Sequence, residues 1–326
     1  MQNILGIDIS KETFDVFLIT EKRSHYKVFC NDPKGFRSLE KWLVVHQASQ
    51  VHACMEATGH YGEGLTEFLF EQDHLVSVVN PARIKHYGDS KLHRNHNDKA
   101  SADLIAEFCL KEKPSLWRPL SPEIKHLRAL VRRFSDLKAA RQQELNRLES
   151  GEKDKWVLSD LEAHVEYLDQ RIRATKKEMK VFVAHTPKLK SQMTLLTSIP
   201  GIAVQTGCVL LAEIGDFSTF ENAPQVAAYA GLNPKNHRSG TSVFKKARIS
   251  KQGRSELRCS LYWPAIVALR CNPVIQDLAE RMEKTKHHKM EIIVAAMRKL
   301  LHLAYGVLKT QKPFDPNYGA QFNFAS

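Results

Sequence analysis

The chain has 326 residues, room for about two domains, and its 43% hydrophobic content excludes a disordered polymer. A formal net charge of +12 points to a polyanionic partner, the plainer reading being charge that only aids solubility. Six scattered cysteines, no leader pattern and no apolar run near ~20 residues exclude a disulfide scaffold, a secreted protein and a membrane span, leaving a cytoplasmic one.

Three closely spaced strands open the chain, over residues 3–9, 13–20 and 25–30, each rich in Ile, Val and Phe. Pro33 starts a helix whose apolar positions Phe36, Leu39, Trp42 and Leu43 recur at helical spacing. A fourth strand follows over 51–56, a helix over 61–71 and a fifth strand over 75–79, before Asn80-Pro81. A basic, polar stretch with Arg83, Lys85, Lys91 and Arg94 leads into a helix from Asn97. The order β-β-β-α-β-α-β-α is that of an RNase H-like (RuvC-like) domain, an α/β fold, placed over residues 1–118.

Residues 119–190 read as a helical coiled-coil arm. Leu158, Leu161, Val165, Leu168, Ile172, Thr175 and Met179 alternate three and four apart, a heptad seam. Ile124, Leu127, Val131, Phe134, Leu145 and Leu148 supply a facing helix, with the turn at Gly151. A hairpin within one chain and a pairing of two subunits fit this pattern equally.

Residues 191–326 read as a mainly helical third domain. Ile199-Pro-Gly-Ile-Ala203 between apolar helical stretches resembles a helix-hairpin-helix turn, whose backbone N–H groups suit a phosphate. Pro-Gly turns without a ligand are also common. Further helices are expected over 225–231, 254–271 and 291–309, with a loosely held tail after Gln311.

Chemistry concentrates at two places. Asp8 in the first strand, Glu56 ending the fourth and Asp98 opening the last helix of the first domain stand in separate elements of one fold. Carboxylates so drawn together hold hard divalent cations against phosphate, and Mg²⁺ is the expected ion. Between Asn233 and Arg258 lie Lys235, Arg238, Lys245, Lys246, Arg248, Lys251, Arg254 and Arg258 against the lone acid Glu256. That density on a loop suits a phosphate backbone, and Arg94 adds to it from the first domain. Ser239 sits among these cations, where a hydroxyl nucleophile attacking phosphate would need them. A turn serine is the plainer reading.

Taken together these stretches resemble the DEDD transposases of the insertion sequence 110 family. The matching residues are Gly6-Ile-Asp-Ile-Ser-Lys-Glu12, Glu56-Ala-Thr-Gly59, Val78-Val-Asn-Pro81 and Asn97-Asp98 with Ala106-Glu-Phe108. Leu196-Thr-Ser-Ile-Pro-Gly-Ile202, Ala228-Tyr-Ala-Gly-Leu-Asn-Pro234, Ser239-Gly-Thr-Ser242 and Met297-Arg-Lys-Leu300 continue the likeness over nearly the whole chain. The resemblance implies recombination of an insertion element with target DNA, directed by a structured non-coding guide (bridge) RNA that pairs with donor and target DNA. It implies a dimer or tetramer in which one subunit's acids, with Mg²⁺, meet another's serine, in a nucleoid-associated bacterial protein. Asp8, Glu56 and Asp98 become metal ligands. Ser239 becomes the nucleophile, linked covalently to a DNA 5′-phosphate.

One position departs from that pattern. The family reads Asp-x-x-Asp where this chain has Asp98-Lys-Ala-Ser101. Asp103, five residues on, lies about 140° round a helix from Asp98 and is a poor substitute. Reduced or absent strand cleavage, with nucleic-acid binding retained, is the expectation. Two other functions stand beside the recombinase: a junction-resolving nuclease in which water attacks, and a non-catalytic nucleic-acid-binding assembly protein.

Overall fold

The computed structural model describes residues 3–21, 23–57, 59, 61–91, 98–239 and 243–317; side chains at 98–99, 235–239 and 243–247 lie outside the description. The chain divides into two compact units, Met1–Pro119 and Leu120–Ser326.

In the first unit, β1 (Asn3–Ile9), β2 (Thr13–Ile19) and β3 (Ser24–Cys30) are followed by α1 (Pro33–Val45), β4 (Val51–Glu56) and α2 (Glu63–Glu71). Then come β5 (Leu75–Val79), α3 (Pro81–Ser90) and α4 (Asp98–Glu112). The sheet order is β3-β2-β1-β4-β5, with β1 antiparallel to β2 and parallel to β4. This is the RNase H-like arrangement.

Strand periodicity sorts the side chains onto two faces. Leu5, Ile7, Ile9, Phe14, Val16, Leu18 and Met55 pack with Phe36, Leu39, Leu43, Leu65 and Leu69 of α1 and α2. Each such burial stabilises the fold by roughly 1.5–3 kcal/mol. The alternate residues Ile4 and Cys54 pack instead with Ile105, Ala106, Phe108 and Cys109 of α4. Asp8, two residues beyond Gly6, and Glu56, two beyond Cys54, therefore share the α4 face.

In this unit two elements differ from expectation by more than a single residue. The helix expected from residue 61 begins at Glu63. The stretch 81–90, read as basic and polar, is helical: Pro81 takes the first position and the Asn80 side chain caps Ala82 N at 2.9 Å. A cap of this kind contributes about 1 kcal/mol. Beyond α4 the chain closes the sheet edge, Trp117 N donating to Val76 O at 2.7 Å.

The second unit begins with α5 (Pro122–Glu149) and α6 (Lys155–His185), two long antiparallel helices. Arg141 grips Asp169 with two hydrogen bonds, and Glu144, itself buried, takes Arg147 and His164. α7 (Pro187–Thr197) and α8 (Val204–Ile214) flank the Pro-Gly turn, followed by α9 (Ala223–Tyr229). Gly201 has φ +102°, and a Cβ there would stand 2.7 Å from the Ala268 methyl, so this turn requires glycine.

Next come β6 (Pro234–Ser239), β7 (Val243–Ile249), α10 (Ser255–Ser260), α11 (Tyr262–Cys271), α12 (Pro273–Lys284) and α13 (Lys289–Thr310). The basic stretch expected as a loop is thus an antiparallel hairpin. Val243, Phe244 and Ile249 favour extended backbone, and the fold uses that preference. The single helix expected over 254–271 breaks at Leu261. Pro264 has no N–H to donate to Ser260, so the first helix cannot run on. The tail is not loose as far as residue 317: Phe314 packs on the core and its N–H donates to Ser198 Oγ at 2.8 Å. Among the described residues, no helix is long and apolar enough to cross a membrane.

Candidate active site

The last register pair between β1 and β4 is Ile7 with Met55, so Asp8 and Glu56 follow it on neighbouring parallel strands. Burial, and secondly the charge of Asp8, push the Glu56 carboxyl above the usual carboxylate range. The two carboxylates are partly buried, and each lies in the field of the other.

α4 runs antiparallel to β1 across this face. Cys109 Sγ donates to His52 O at 3.9 Å, and Ala102 and Ala106 lie over Gly6. The N-terminal turn of α4 therefore extends toward the end of the sheet that carries Asp8 and Glu56. Asp98 is the first residue of that turn; its side chain lies outside the described ones. Ser101 is partly buried, next to the fully buried Ala102 that rests on the sheet. Asp103 is also partly buried, two residues further along the helix.

Residue-by-residue reading missed a neighbour of this pair. Asp15 on β2 stands directly opposite Asp8, is buried, and accepts a hydrogen bond from the Tyr26 hydroxyl. The signal was present in the spacing, because Asp8 and Asp15 are equidistant from the turn between β1 and β2. Among the described residues no group of three His, Cys, Asp or Glu side chains is disposed to hold a metal ion.

The second candidate place lies in the second unit. Ser239 ends β6, its Cα paired with that of Val243. Lys235 and Arg238 lie on β6, Lys245 and Lys246 on β7, with side chains outside the description. Arg248 is exposed on β7 opposite Lys235, and exposed Lys251 follows with φ +55°. Arg254 is only partly exposed and its guanidinium lies 5.9 Å from the Tyr229 ring. Arg94 falls outside the described residues. What this arrangement offers chemically is a hairpin of basic residues with Ser239 ending its first strand, and, separately, a carboxylate pair on a sheet.

Comparison with known proteins bears on both places. A family model described as "Transposase IS116/IS110/IS902 family" matches residues 193–280, and one described as "Transposase", for the DEDD type of IS110, matches residues 5–151. The "Pilin gene-inverting protein" of Moraxella lacunata is 37% identical over 314 residues, spanning 95% of this chain and 97% of that protein. The "Transposase for insertion sequence element IS1111A" of Coxiella burnetii is 26% identical over 313 residues, 82% of this chain and 78% of that one. Among solved structures, T. thermophilus RuvC in complex with a Holliday junction substrate aligns at a TM-score of 0.27 and 12% identity, over 34% of this chain and 96% of that one.

Proposed function

The chain belongs to the IS110 family of transposases and is a DNA transposase or recombinase; from that premise we propose that it cuts and rejoins DNA through Ser239 and an acidic site built on Asp8, Glu56 and Asp98. The observation that carries this reading is that Asp8 and Glu56 follow the Ile7–Met55 pair on neighbouring strands, on the face that α4 covers, and that the charge of Asp8 is felt at Glu56. Two carboxylates forced together in half-buried ground repel each other, and a cation relieves the repulsion. That oxygen-only donor set fits a hard divalent ion, with Asp8, Glu56 and Asp98 as its holders and Mg²⁺ as the ion expected. Bound there, it would supply Lewis-acid stabilisation of charge developing on phosphate.

The remaining work falls to the chain's own side chains. Ser239 Oγ forms a bond to phosphorus as the bond from phosphorus to O3′ breaks. The hydroxyl proton passes to a base or water, and the leaving oxygen ends as a 3′-hydroxyl. Lys235, Arg238, Lys245, Lys246, Arg248 and Lys251 hold the backbone and offset the charge gathering on it, while Arg254, first expected among them, is turned toward the buried Glu213 carboxylate instead. Arg94 adds a contact from the first unit. The proposed partners are donor and target DNA, a structured non-coding guide RNA, and further copies of the chain in a dimer or tetramer.

Ser101 sets the level of activity. A neutral hydroxyl holds a divalent ion far less strongly than a carboxylate, so strand cleavage is reduced. The same serine favours a second reading, a nucleic-acid-binding assembly protein without turnover.

The test uses the full chain with supercoiled donor DNA, Mg²⁺ and the RNA that co-purifies with it. A covalent protein–DNA adduct that Ser239→Ala abolishes is the expected result. Nicks that leave no protein on the DNA would make water the nucleophile. Neither nicks nor adduct, even with Ser101→Asp, would leave the assembly reading.

A further inference from the structure

Glu213, in the last turn of α8, is 1% exposed, and a carboxylate so deeply buried is costly unless a cation stands beside it. That cation is Arg254, whose Nη1 stands 3.7 Å from Glu213 Oε2. Glu213 Oε1 has no hydrogen-bond partner among the described residues. The negative charge is therefore met chiefly by guanidinium rather than by neutral donors. A second one, Arg128 from α5, comes in along the backbone, donating from Nε to Ala212 O at 2.8 Å and from Nη2 to Glu213 O at 3.4 Å.

Arg254 is tied down on its other sides by Tyr229. Its Nε donates to the Tyr229 hydroxyl at 3.2 Å, and its backbone N to Tyr229 O at 2.9 Å. The Tyr229 hydroxyl in turn donates to Glu213 O at 3.3 Å. Three segments close into one ring: the end of α8, the end of α9, and the chain leaving β7.

What this ring holds is the root of the cationic hairpin. Ser250 N donates to Asn233 O at 2.9 Å and its Oγ to Asn233 Oδ1 at 2.6 Å, while Lys251 N donates to Gly231 O at 3.2 Å. Arg258 Nη1 reaches Ala230 O at 2.9 Å. A Cβ on Gly253 would stand 2.4 Å from Tyr229 O, so the two segments lie backbone to backbone. The two strands carrying the basic residues thus leave the protein from a single clamped base.

We infer that Glu213 is a positioning residue: its buried charge holds Arg254, and through Arg254 it fixes the place from which the β6–β7 hairpin presents Ser239. The inference rests on the reading of Ser239 as nucleophile. It differs from a purely stabilising ion pair in what it predicts. A positioning residue governs how fast a bound strand reacts, not how tightly the strand binds.

The experiment compares the full chain with Glu213→Gln, which keeps the shape and removes the charge, and Glu213→Asp, which keeps the charge. Three quantities are read: the rate of adduct formation at saturating donor DNA, the Kd for that DNA, and hydrogen–deuterium exchange over residues 229–254. Glu213→Gln should slow the adduct roughly tenfold to a hundredfold, as a small misplacement of reacting groups does. Its Kd should stay within about twofold while exchange quickens at the hairpin root, and Glu213→Asp should recover part of the rate. An unchanged rate in Glu213→Gln, or a loss of rate matched by an equal loss of affinity, overturns the inference. If Glu213→Gln fails to fold, Glu213→Asp is read instead: its shorter arm draws the charge back from Arg254, already 3.7 Å away, so a slowed adduct at unchanged Kd supports the inference and a rate equal to the parent chain's overturns it. If the parent chain forms no adduct, the nucleophile reading is what has failed, and exchange alone decides: quickening confined to the root supports Glu213, and unchanged exchange sinks it.

Discussion

Gly6 of β1 lies so close beneath Ala102 of α4 that a Cβ on Gly6 would stand 2.1 Å from the Ala102 carbonyl oxygen. It would also stand 2.4 Å from Ala106 N. Both are helix backbone atoms and cannot swing aside. The missing side chain lets α4 settle on the strand that carries Asp8.

Gly6→Ala should push α4 off the sheet, costing at least the ~1–3 kcal/mol of an overpacked core. A thermal melt checks it, and an unchanged Tm would count against so tight an approach. The variant should also bind divalent ions more weakly, because the turn bearing Asp98 and Ser101 moves with the helix.

Ser101→Asp should strengthen divalent binding by about tenfold or more, since it adds charge and oxygen ligands where the chain has a neutral hydroxyl. Calorimetric titration with Mn²⁺ or Mg²⁺ reads this directly. Cleavage of supercoiled donor should rise with it. Equal affinity and equal cleavage in the two proteins would remove Ser101 as the limiting feature.

Arg248 and Lys251 are exposed cations on the described part of the hairpin. Replacing either by Gln should weaken nucleic-acid binding similarly for all sequences and lower the salt dependence by roughly one phosphate contact. Filter binding across a salt series gives the slope. A changed preference among sequences, with the slope intact, would make the residue a base reader instead.

His302 on α13 supplies a pH dependence. Burial first, then the charges of Arg298 and Lys299, push its pKa down to about 4, against an ordinary 6.5. Above 6.5 the imidazole is neutral in both states and costs nothing. As pH falls below that value the unfolded chain takes up a proton that the folded chain refuses. Stability is lost progressively down to about pH 4, by up to roughly 3 kcal/mol. The drop in Tm between pH 7 and pH 5 should shrink in His302→Gln.

Much of the first unit could be read from the chain because it is governed by local rules. Alternation of Leu5, Ile7 and Ile9 with Ile4, Gly6 and Asp8 marks both the strand and its two faces, since side chains on extended backbone alternate. The helix at 81–90 is hidden by its polar composition, although Asn80-Pro81 is a start signal. The hairpin at 234–249 is hidden by its density of charge, which outweighs Val243, Phe244 and Ile249. In both cases local signals were present and were outweighed by composition.

The sequence by itself determined the acids, the cations, the serine among them, and the substitution at Ser101, because residue identity is what a sequence contains. Only the tertiary structure decided that Ala102 of α4 lies against Gly6 of β1, and that Glu213 lies buried against Arg254 from a different segment. Such pairings depend on register and on which surfaces become dry. Those are set when distant segments pack, and no neighbouring residue encodes them.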